Sequence, residues 1–238
     1  MKSFVINLDR DVERMEAATR QLSSHGIAFE RLSAVYAADM DSKLRSAAVN
    51  HRRWRIAMGR CVRPGEIGCA LSHFSIYRKM LMDDIPLACI FEDDVVFTGD
   101  VKSCLDLVES VIDTKRAQVV LLSDHTHQKI RTRCICPAKT DMFSEAYVIT
   151  KPAAANLLRV NYPMQVPCDH WGRFVRLGAI ELFHAYPAVA NQNWTAYESN
   201  IGKSGVRPPK RPFMERVIRH LGFLIDACMV YCERRKCQ

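Results

Sequence analysis

Apolar runs alternate with helical stripes along most of the chain. Residues 4–8 form a short apolar run, residues 11–25 place apolar side chains on one helical face, and residues 27–35 form a second run. An apolar run, an amphipathic helical segment and a second apolar run predict a β-α-β unit, which is typical of parallel sheets. Gly26 fits the end of this helix, because glycine readily adopts the left-handed conformation that closes helices.

The same alternation continues toward the C-terminus. It predicts helices over residues 67–82, 101–112, 152–159 and 170–177. It predicts strands over residues 87–91, 118–122, 146–150 and 180–184. Residues 43–63 lack a clear period and are expected to form a long loop with some helix, and residues 134–141 are expected to form a loop. The sequence therefore predicts an α/β fold with a mostly parallel sheet flanked by helices.

The charge of the chain is unevenly distributed. Residues 43–63 hold seven basic and no acidic side chains, and residues 203–238 hold nine basic and three acidic ones, within a net charge of +8. The remaining residues are mildly acidic. This distribution favours local contact with an anionic surface and argues against nucleic acid as a partner. We expect one domain over residues 1–202 and a basic tail over residues 203–238.

The tail predicts a basic amphipathic helix. Apolar residues recur at helical spacing from residue 213 to residue 232, and basic residues surround them. A C-terminal helix of this kind suits the surface of an anionic membrane. Packing on the body or a dimer contact are the alternatives.

The N-terminus and the cysteines predict a cytoplasmic protein. The first apolar run is too short for a signal peptide, and acids follow it at once. No window reaches transmembrane length without charge. Most of the ten cysteines sit in apolar runs, where free cysteine behaves as a small hydrophobe. We expect reduced, structural cysteines.

Three consecutive acids, Glu92, Asp93 and Asp94, end the apolar run at residues 87–91. Clustered carboxylates repel one another unless a cation neutralises them. The end of a strand lies at the rim of an α/β sheet, where ligands usually bind. Mg²⁺ and Mn²⁺ prefer oxygen ligands. The acids therefore predict a metal site, and a solvated acidic turn or helix N-terminus is the alternative.

Six short strings occur in a characteristic order along the chain. They are INLDR at 6–10, GEIGCALSH at 65–73, FEDD at 91–94, AYVIT at 146–150, PCD at 167–169, and Gln192 with SNI at 199–201. Over about residues 2–202 this order resembles glycosyltransferase family 25 of bacterial lipooligosaccharide synthesis, whose relatives include collagen galactosyltransferase domains. The resemblance implies a GT-A-like fold and a UDP-sugar donor, most often UDP-galactose.

The resemblance also implies how the acids are used. The family's acidic motif is a pair of acids flanking one residue, which here makes Glu92 and Asp94 the ligands of Mn²⁺ or Mg²⁺. Side chains alternate faces along a strand, so Asp93 is expected to point away and to contact the donor's sugar or ribose. The metal would neutralise the departing UDP.

Further donor contacts are expected at the end of the first strand. Asn7, Leu8 and Asp9 lie there, and the carboxyl end of a parallel strand faces the nucleotide cleft. Arg14, one turn into the following helix, either reaches phosphate or pairs with Asp9 or Asp11 as a surface ion pair.

The other strings supply the remaining candidates. Ser72 and His73 are expected to position the donor, although a lone helical histidine is more often structural. Asp169 is the candidate general base for the acceptor hydroxyl, and its alternative role is the N-cap of the 170–177 helix. Gln192 and Asn193 contact sugar hydroxyls or satisfy loop backbone groups.

These features predict a metal-dependent transferase at the cytoplasmic face of the inner membrane. It would add galactose in β linkage, with inversion, from a UDP-sugar to a lipid-linked oligosaccharide acceptor. One rival is a non-catalytic carbohydrate- or lipopolysaccharide-binding protein on a degenerate transferase fold. Metal-dependent phosphoester hydrolysis is a weaker rival, because the chain lacks the further His and Asp ligands of a two-metal site.

Overall fold

Nine strands and seven helices occur within residues 1–125, 130 and 132–192, the part of the chain that the computed structural model describes. The strands are β1 (Lys2–Asn7), β2 (Glu30–Ser33), β3 (Leu87–Glu92), β4 (Val95–Phe97), β5 (Gln118–Leu121), β6 (Cys134–Ala138), β7 (Ala146–Thr150), β8 (Glu181–Tyr186) and β9 (Ala190–Gln192). The helices are α1 (Val12–Ser24), α2 (Ser42–Ala47), α3 (His51–Met58), α4 (Pro64–Met82), α5 (Val101–Val111), α6 (Lys151–Asn161) and α7 (Trp171–Arg176).

A seven-stranded sheet in the order β2-β1-β3-β7-β5-β8-β6 forms the centre of the described chain. Strands β1, β2, β3, β5 and β8 run in one direction, and β6 and β7 run in the other. The predicted α/β class with a mostly parallel, helix-flanked sheet is confirmed. Strands β4 and β9 form a separate antiparallel pair.

Helices cover both faces of the sheet, because the central strands are apolar on both sides. Phe4 and Ile6 of β1 face a core completed by α4 and α6. Val5, between them, faces a second core completed by α1 and α5. Continuous apolar strands of this kind are expected in a sheet that is buried on both faces.

Three sequence expectations differ from the structure. Residues 134–138 form strand β6, not a loop. Pro137 is tolerated there because β6 lies at the sheet edge. The basic segment at 43–63 is mostly helical, since Asp41 and Asn50 cap helices α2 and α3. Strand β9 was not predicted. The tail at 203–238 lies outside the described residues. Within the described part, no helix has the length and apolarity needed to cross a membrane.

The topology brings the first and third strands together at a switch point. Strand β1 has β2 on one side and β3 on the other, all parallel. The carboxyl ends of β1 and β3, at Asn7 and Glu92, therefore meet at one edge of the sheet. Crevices at such edges are the usual ligand sites of open α/β sheets.

Gly68 allows helix α4 to pack closely against the segment after β2. A Cβ at this position would lie 2.4 Å from the carbonyl oxygen of Val35, a backbone atom. We expect Gly68→Ala to lower the free energy of unfolding by about 1–3 kcal/mol, as overpacking does. Urea denaturation measures this loss.

Gly99→Ala is the matched control for this prediction. Its Cβ would meet the side chain of Val189 at 3.2 Å, without a backbone clash. We expect a smaller loss of stability in this variant. Equal losses in the two variants would contradict the close packing at Gly68.

Candidate active site

Two adjoining clefts lie at this edge of the sheet, each with about 740 Å³ of empty space. The first, here called the Arg14 cleft, is walled by the three acids, the start of α4 and residues 34–38. The second, called the Asp169 cleft, is walled by residues 142–145 and 167–169. Cys69, Glu92 and Gln192 line both clefts. The two clefts are therefore separated by a thin wall.

The three acids gather around one arginine. The Arg14 Nη2 atom contacts Asp93 Oδ1 and lies 3.0 Å from Asp94 Oδ2. Gln192 Nε2 donates to Asp94 Oδ2 at 2.9 Å. The expectation that Asp93 points away from Asp94 is therefore wrong. Strand β3 ends at Glu92, and the next two residues form a turn that does not follow strand alternation.

Arg14 lines the cleft, and its ion pairs differ from the surface pairs expected from the sequence. Its side chain is only 12% exposed, so its ion pairs are not surface ones. It pairs with the carboxylates of Asp93 and Asp94. The arginine therefore lines the cleft while forming ion pairs with these two acids.

Burial disfavours the charged forms of Asp93 and Asp94. Burial raises the pKa of Asp93 to about 6. Burial, together with the nearby Glu92 carboxylate, raises the pKa of Asp94 to about 7. Asp94 Oδ1 is buried and has no hydrogen-bond partner among the described residues. An all-oxygen donor set with an unsatisfied buried carboxylate oxygen fits a hard divalent cation, and Glu92 and Asp94 are the residues that would hold it.

A buried chain of hydrogen bonds on the interior side of the cleft holds Glu92 in place. His73 Nε2 lies 3.3 Å from Glu92 Oε1, and His73 Nδ1 lies 2.7 Å from the Tyr147 hydroxyl. The Tyr147 hydroxyl in turn lies 2.8 Å from that of Tyr77. Burial alone would lower the pKa of His73, but its bonds to Cys69 and Glu92 raise that pKa to about 10. His73 thus orients Glu92 from the interior.

The residues at the end of strand β1 and just after it divide into two groups. Asn7 is buried and donates from Nδ2 to Asp93 Oδ2 at 2.7 Å, so it positions an acid of the cleft. Asp9 is exposed, and Arg31 and Ser33 donate to its carboxylate at 2.6 and 2.8 Å. Its pKa is lowered by Ser33 and Arg31. Asp9 is not among the residues that line either described cleft.

Ser72 and Leu8 both line the Arg14 cleft. The Ser72 hydroxyl accepts from the Val35 backbone N–H at 2.9 Å and donates to the Gly68 carbonyl at 2.7 Å. It therefore fixes the segment that forms one wall of the cleft.

Asp169 projects into the Asp169 cleft from the segment before helix α7. Its Oδ2 accepts a hydrogen bond from the Phe143 backbone N–H at 3.0 Å. Helix α7 begins at Trp171, and the cap position belongs to His170, whose side chain makes no capping bond. Burial raises the pKa of Asp169. A partly buried carboxylate with a raised pKa suits a general base.

Sequence reasoning missed residues that depend on tertiary packing. Ser144, in the loop before β7, donates to Glu92 Oε1. A polar residue in an irregular loop gives no signal of such a contact. Cys69 lay within one of the six strings without an assigned role, and it lines both clefts. Asn193 lies outside the described residues.

Parts of the chain are similar in sequence to named proteins. A procollagen lysyl hydroxylase and glycosyltransferase of Acanthamoeba polyphaga mimivirus is 26% identical over 65% of the chain and 20% of its own length. Mouse procollagen galactosyltransferase 2 is 30% identical over 49% of the chain and 19% of its own length. A rat protein named probable inactive glycosyltransferase 25 family member 3 is 38% identical over 24% of the chain and 10% of its own length. The matches thus span a fifth or less of these relatives.

The family comparison covers most of the chain. The sequence model of glycosyltransferase family 25, described as LPS biosynthesis protein, matches residues 1–171. This region contains the three acids, Arg14, His73 and Asp169. The chain belongs to glycosyltransferase family 25.

Proposed function

We propose that the protein transfers a sugar from a UDP-sugar to a lipid-linked oligosaccharide, such as a lipooligosaccharide. Family membership supports the transfer reaction, and the name of the mouse relative supports galactose as the sugar. One observation carries the proposal: the acidic triple and the Asp169 carboxylate line two adjoining clefts that share Glu92.

The Arg14 cleft is the proposed donor site. Asn7 and Arg14 hold Asp93 and Asp94 in place, and the chain from Tyr77 to His73 holds Glu92. Mn²⁺ or Mg²⁺ bound by Glu92 and Asp94 would supply positive charge to the diphosphate of the departing UDP. Leu8 and residues 34–38 supply the apolar part of the wall.

The Asp169 cleft is the proposed acceptor site. Inversion needs one carboxylate that removes the proton of the attacking hydroxyl on the face opposite the leaving group. Asp169 lines the neighbouring cleft, and its raised pKa increases its basicity. The transition state has oxocarbenium character, as in glycoside hydrolysis. Gln192 lines both clefts and is the candidate sugar contact.

A non-catalytic carbohydrate-binding role is the second candidate. The observation that favours it is the similarity to the rat protein named probable inactive. The chain nevertheless carries Glu92, Asp94 and Asp169 as carboxylates, and a degenerate transferase would be free to lose them.

A donor-hydrolysis screen distinguishes the two candidates. The full chain is incubated with UDP-galactose, UDP-glucose, UDP-GlcNAc or UDP-GalNAc, with and without Mn²⁺, and released UDP is measured. We expect UDP release to be fastest from UDP-galactose and to depend on Mn²⁺. Donor binding without UDP release, in the presence of an oligosaccharide acceptor, would support the binding role.

A lipid-linked acceptor places the reaction at a membrane, and the basic tail is the proposed contact with the cytoplasmic face. We expect the full chain to sediment with anionic vesicles and to be released by high salt, because salt screens charge attraction. A chain ending at Ser204 should not sediment. Equal sedimentation of both forms would shift the contact to residues 43–63, and no sedimentation would exclude a membrane contact.

A further inference from the structure

Two thiols and an imidazole converge at the wall between the two clefts. The Sγ atoms of Cys69 and Cys168 lie 3.5 Å apart. A ring nitrogen of His73 completes a group whose three ligand atoms lie within 4.8 Å of one another. Cys69 and His73 are one turn apart on α4 and share a helix face. Cys168 lies in the segment before α7.

We propose that Cys69, His73 and Cys168 form a binding site for a thiophilic divalent cation of the zinc type, next to the acidic triple, whose Glu92 contacts His73. Thiolate and imidazole ligands suit Zn²⁺, whereas carboxylates suit Mg²⁺ and Mn²⁺. The two neighbouring sites therefore differ in the class of cation that they select. Because binding is measured directly, this inference does not depend on the transfer reaction.

The spacing of the donors fits tetrahedral zinc. Zinc–sulfur bonds of about 2.3 Å in a tetrahedron separate two sulfur ligands by about 3.8 Å. The sulfur atoms of Cys69 and Cys168 lie 3.5 Å apart, so only a small outward movement is needed. Cys168 is buried and Cys69 is half-buried, so the site is shielded but reachable from the clefts.

The histidine already has the outer partner that a metal ligand requires. A metal-bound histidine usually donates its second ring N–H to an oxygen, which fixes the ring and its tautomer. His73 Nδ1 lies 2.7 Å from the Tyr147 hydroxyl, which lies 2.8 Å from the Tyr77 hydroxyl. His73 Nε2 lies 3.3 Å from Glu92 Oε1, so a cation bound at Nε2 would replace this contact with Glu92.

The site has three protein ligands, so the fourth coordination position of a tetrahedron is open. Zinc sites of this kind keep an exchangeable ligand at that position. Cys69 lines both clefts, so the open position faces the space between them. A water molecule or a small anion is the expected fourth ligand.

Cobalt titration tests the proposal, since Co²⁺ reports thiolate ligands and tetrahedral geometry by its absorption. The full chain is kept reduced with a phosphine under anaerobic conditions. We expect a thiolate-to-cobalt charge-transfer band and visible d–d bands that saturate at one equivalent and disappear when Zn²⁺ is added. Cys168→Ser should abolish the bands. Tyr147→Phe should weaken cobalt affinity about 10–100-fold, as loss of an outer partner does.

Matched variants separate this site from other thiols. Cys61 is exposed and lies outside the cluster, so Cys61→Ser should bind cobalt like the wild type. Cys134 and Cys136 form another close thiol pair at 3.4 Å, and Cys134→Ser should also leave the bands unchanged. Circular dichroism checks the fold of each variant. Cys69→Ser, at the half-buried position, replaces Cys168→Ser if the latter does not fold.

Three results would overturn the proposal. One is the absence of thiolate bands in the wild type. Another is their survival in a folded Cys168→Ser or Cys69→Ser variant. The third is their loss in Cys134→Ser alone, which would place the cation at the other thiol pair.

Discussion

Asp169→Asn is expected to lower the turnover of sugar transfer by about 10²–10⁴-fold, the usual contribution of a general base. The amide retains an oxygen that can accept from the Phe143 N–H, so the local structure should persist. It cannot take a proton from the acceptor. UDP binding should change little, because Asp169 lines the second cleft and not the Arg14 cleft. Steady-state kinetics and UDP titration measure the two effects.

The pH dependence gives a second check on Asp169, measured at saturating Mn²⁺ because the raised pKa values of Asp93 and Asp94 also affect metal binding. A base must be ionised to act, so activity falls as the pH drops through its pKa. Burial raises that pKa, so the acid limb of turnover should lie above the ordinary aspartate value of about 3.9. Asp100→Asn is the control, because Asp100 caps helix α5 and asparagine caps equally well. Wild-type turnover in Asp169→Asn would contradict the assignment.

Asp94→Asn is expected to remove nearly all Mn²⁺-stimulated transfer. Lewis-acid stabilisation is worth several kcal/mol, and each 1.36 kcal/mol is tenfold in rate, so the expected loss is at least about 100-fold. The fold should persist, because Gln192 can still donate to the amide oxygen and Arg14 keeps its pairing with Asp93. Activity assays with added Mn²⁺, together with thermal unfolding, separate the two effects.

Metal removal completes this prediction. EDTA should inactivate the wild type, and Mn²⁺ should restore the wild type but not Asp94→Asn. Asp84→Asn is the control, because Asp84 is an exposed acid away from both clefts that pairs with Lys151. Full wild-type activity in EDTA would exclude the metal assignment.

Most of the sheet could be predicted from the sequence because its central strands are buried and therefore consist of apolar residues. Strands β3, β5 and β7 are continuous apolar runs. Gly26 marks the end of helix α1, and Pro64 and Gly65 mark the start of helix α4. Strand β6 was missed because Pro137 breaks a short run, and proline is unfavourable within strands. The bounds of helices α2 and α3 were not predicted, because side-chain caps and not a strong apolar stripe define where they begin.

The candidate site was only partly predictable. The acids and Asp169 fall within short ordered strings, so their positions could be read from the sequence. The pairing of Arg14 with Asp93 and Asp94 could not, because it depends on how helix α1 packs beside the turn after β3. The predicted orientation of Asp93 was wrong for a local reason: the strand ends at Glu92, two residues before the end of the alternation that was assumed.

The buried chain from Tyr77 through Tyr147 and His73 to Glu92 links the site to the interior of the protein. Two of its members lie on helix α4 and one on strand β7, so repacking these elements also moves a carboxylate of the cleft. Stabilising variants selected at this contact would therefore alter catalysis as well. Engineering for heat resistance should begin on the opposite face of the sheet around helix α5, because helix α1 on that face carries Arg14, which pairs with Asp93 and Asp94.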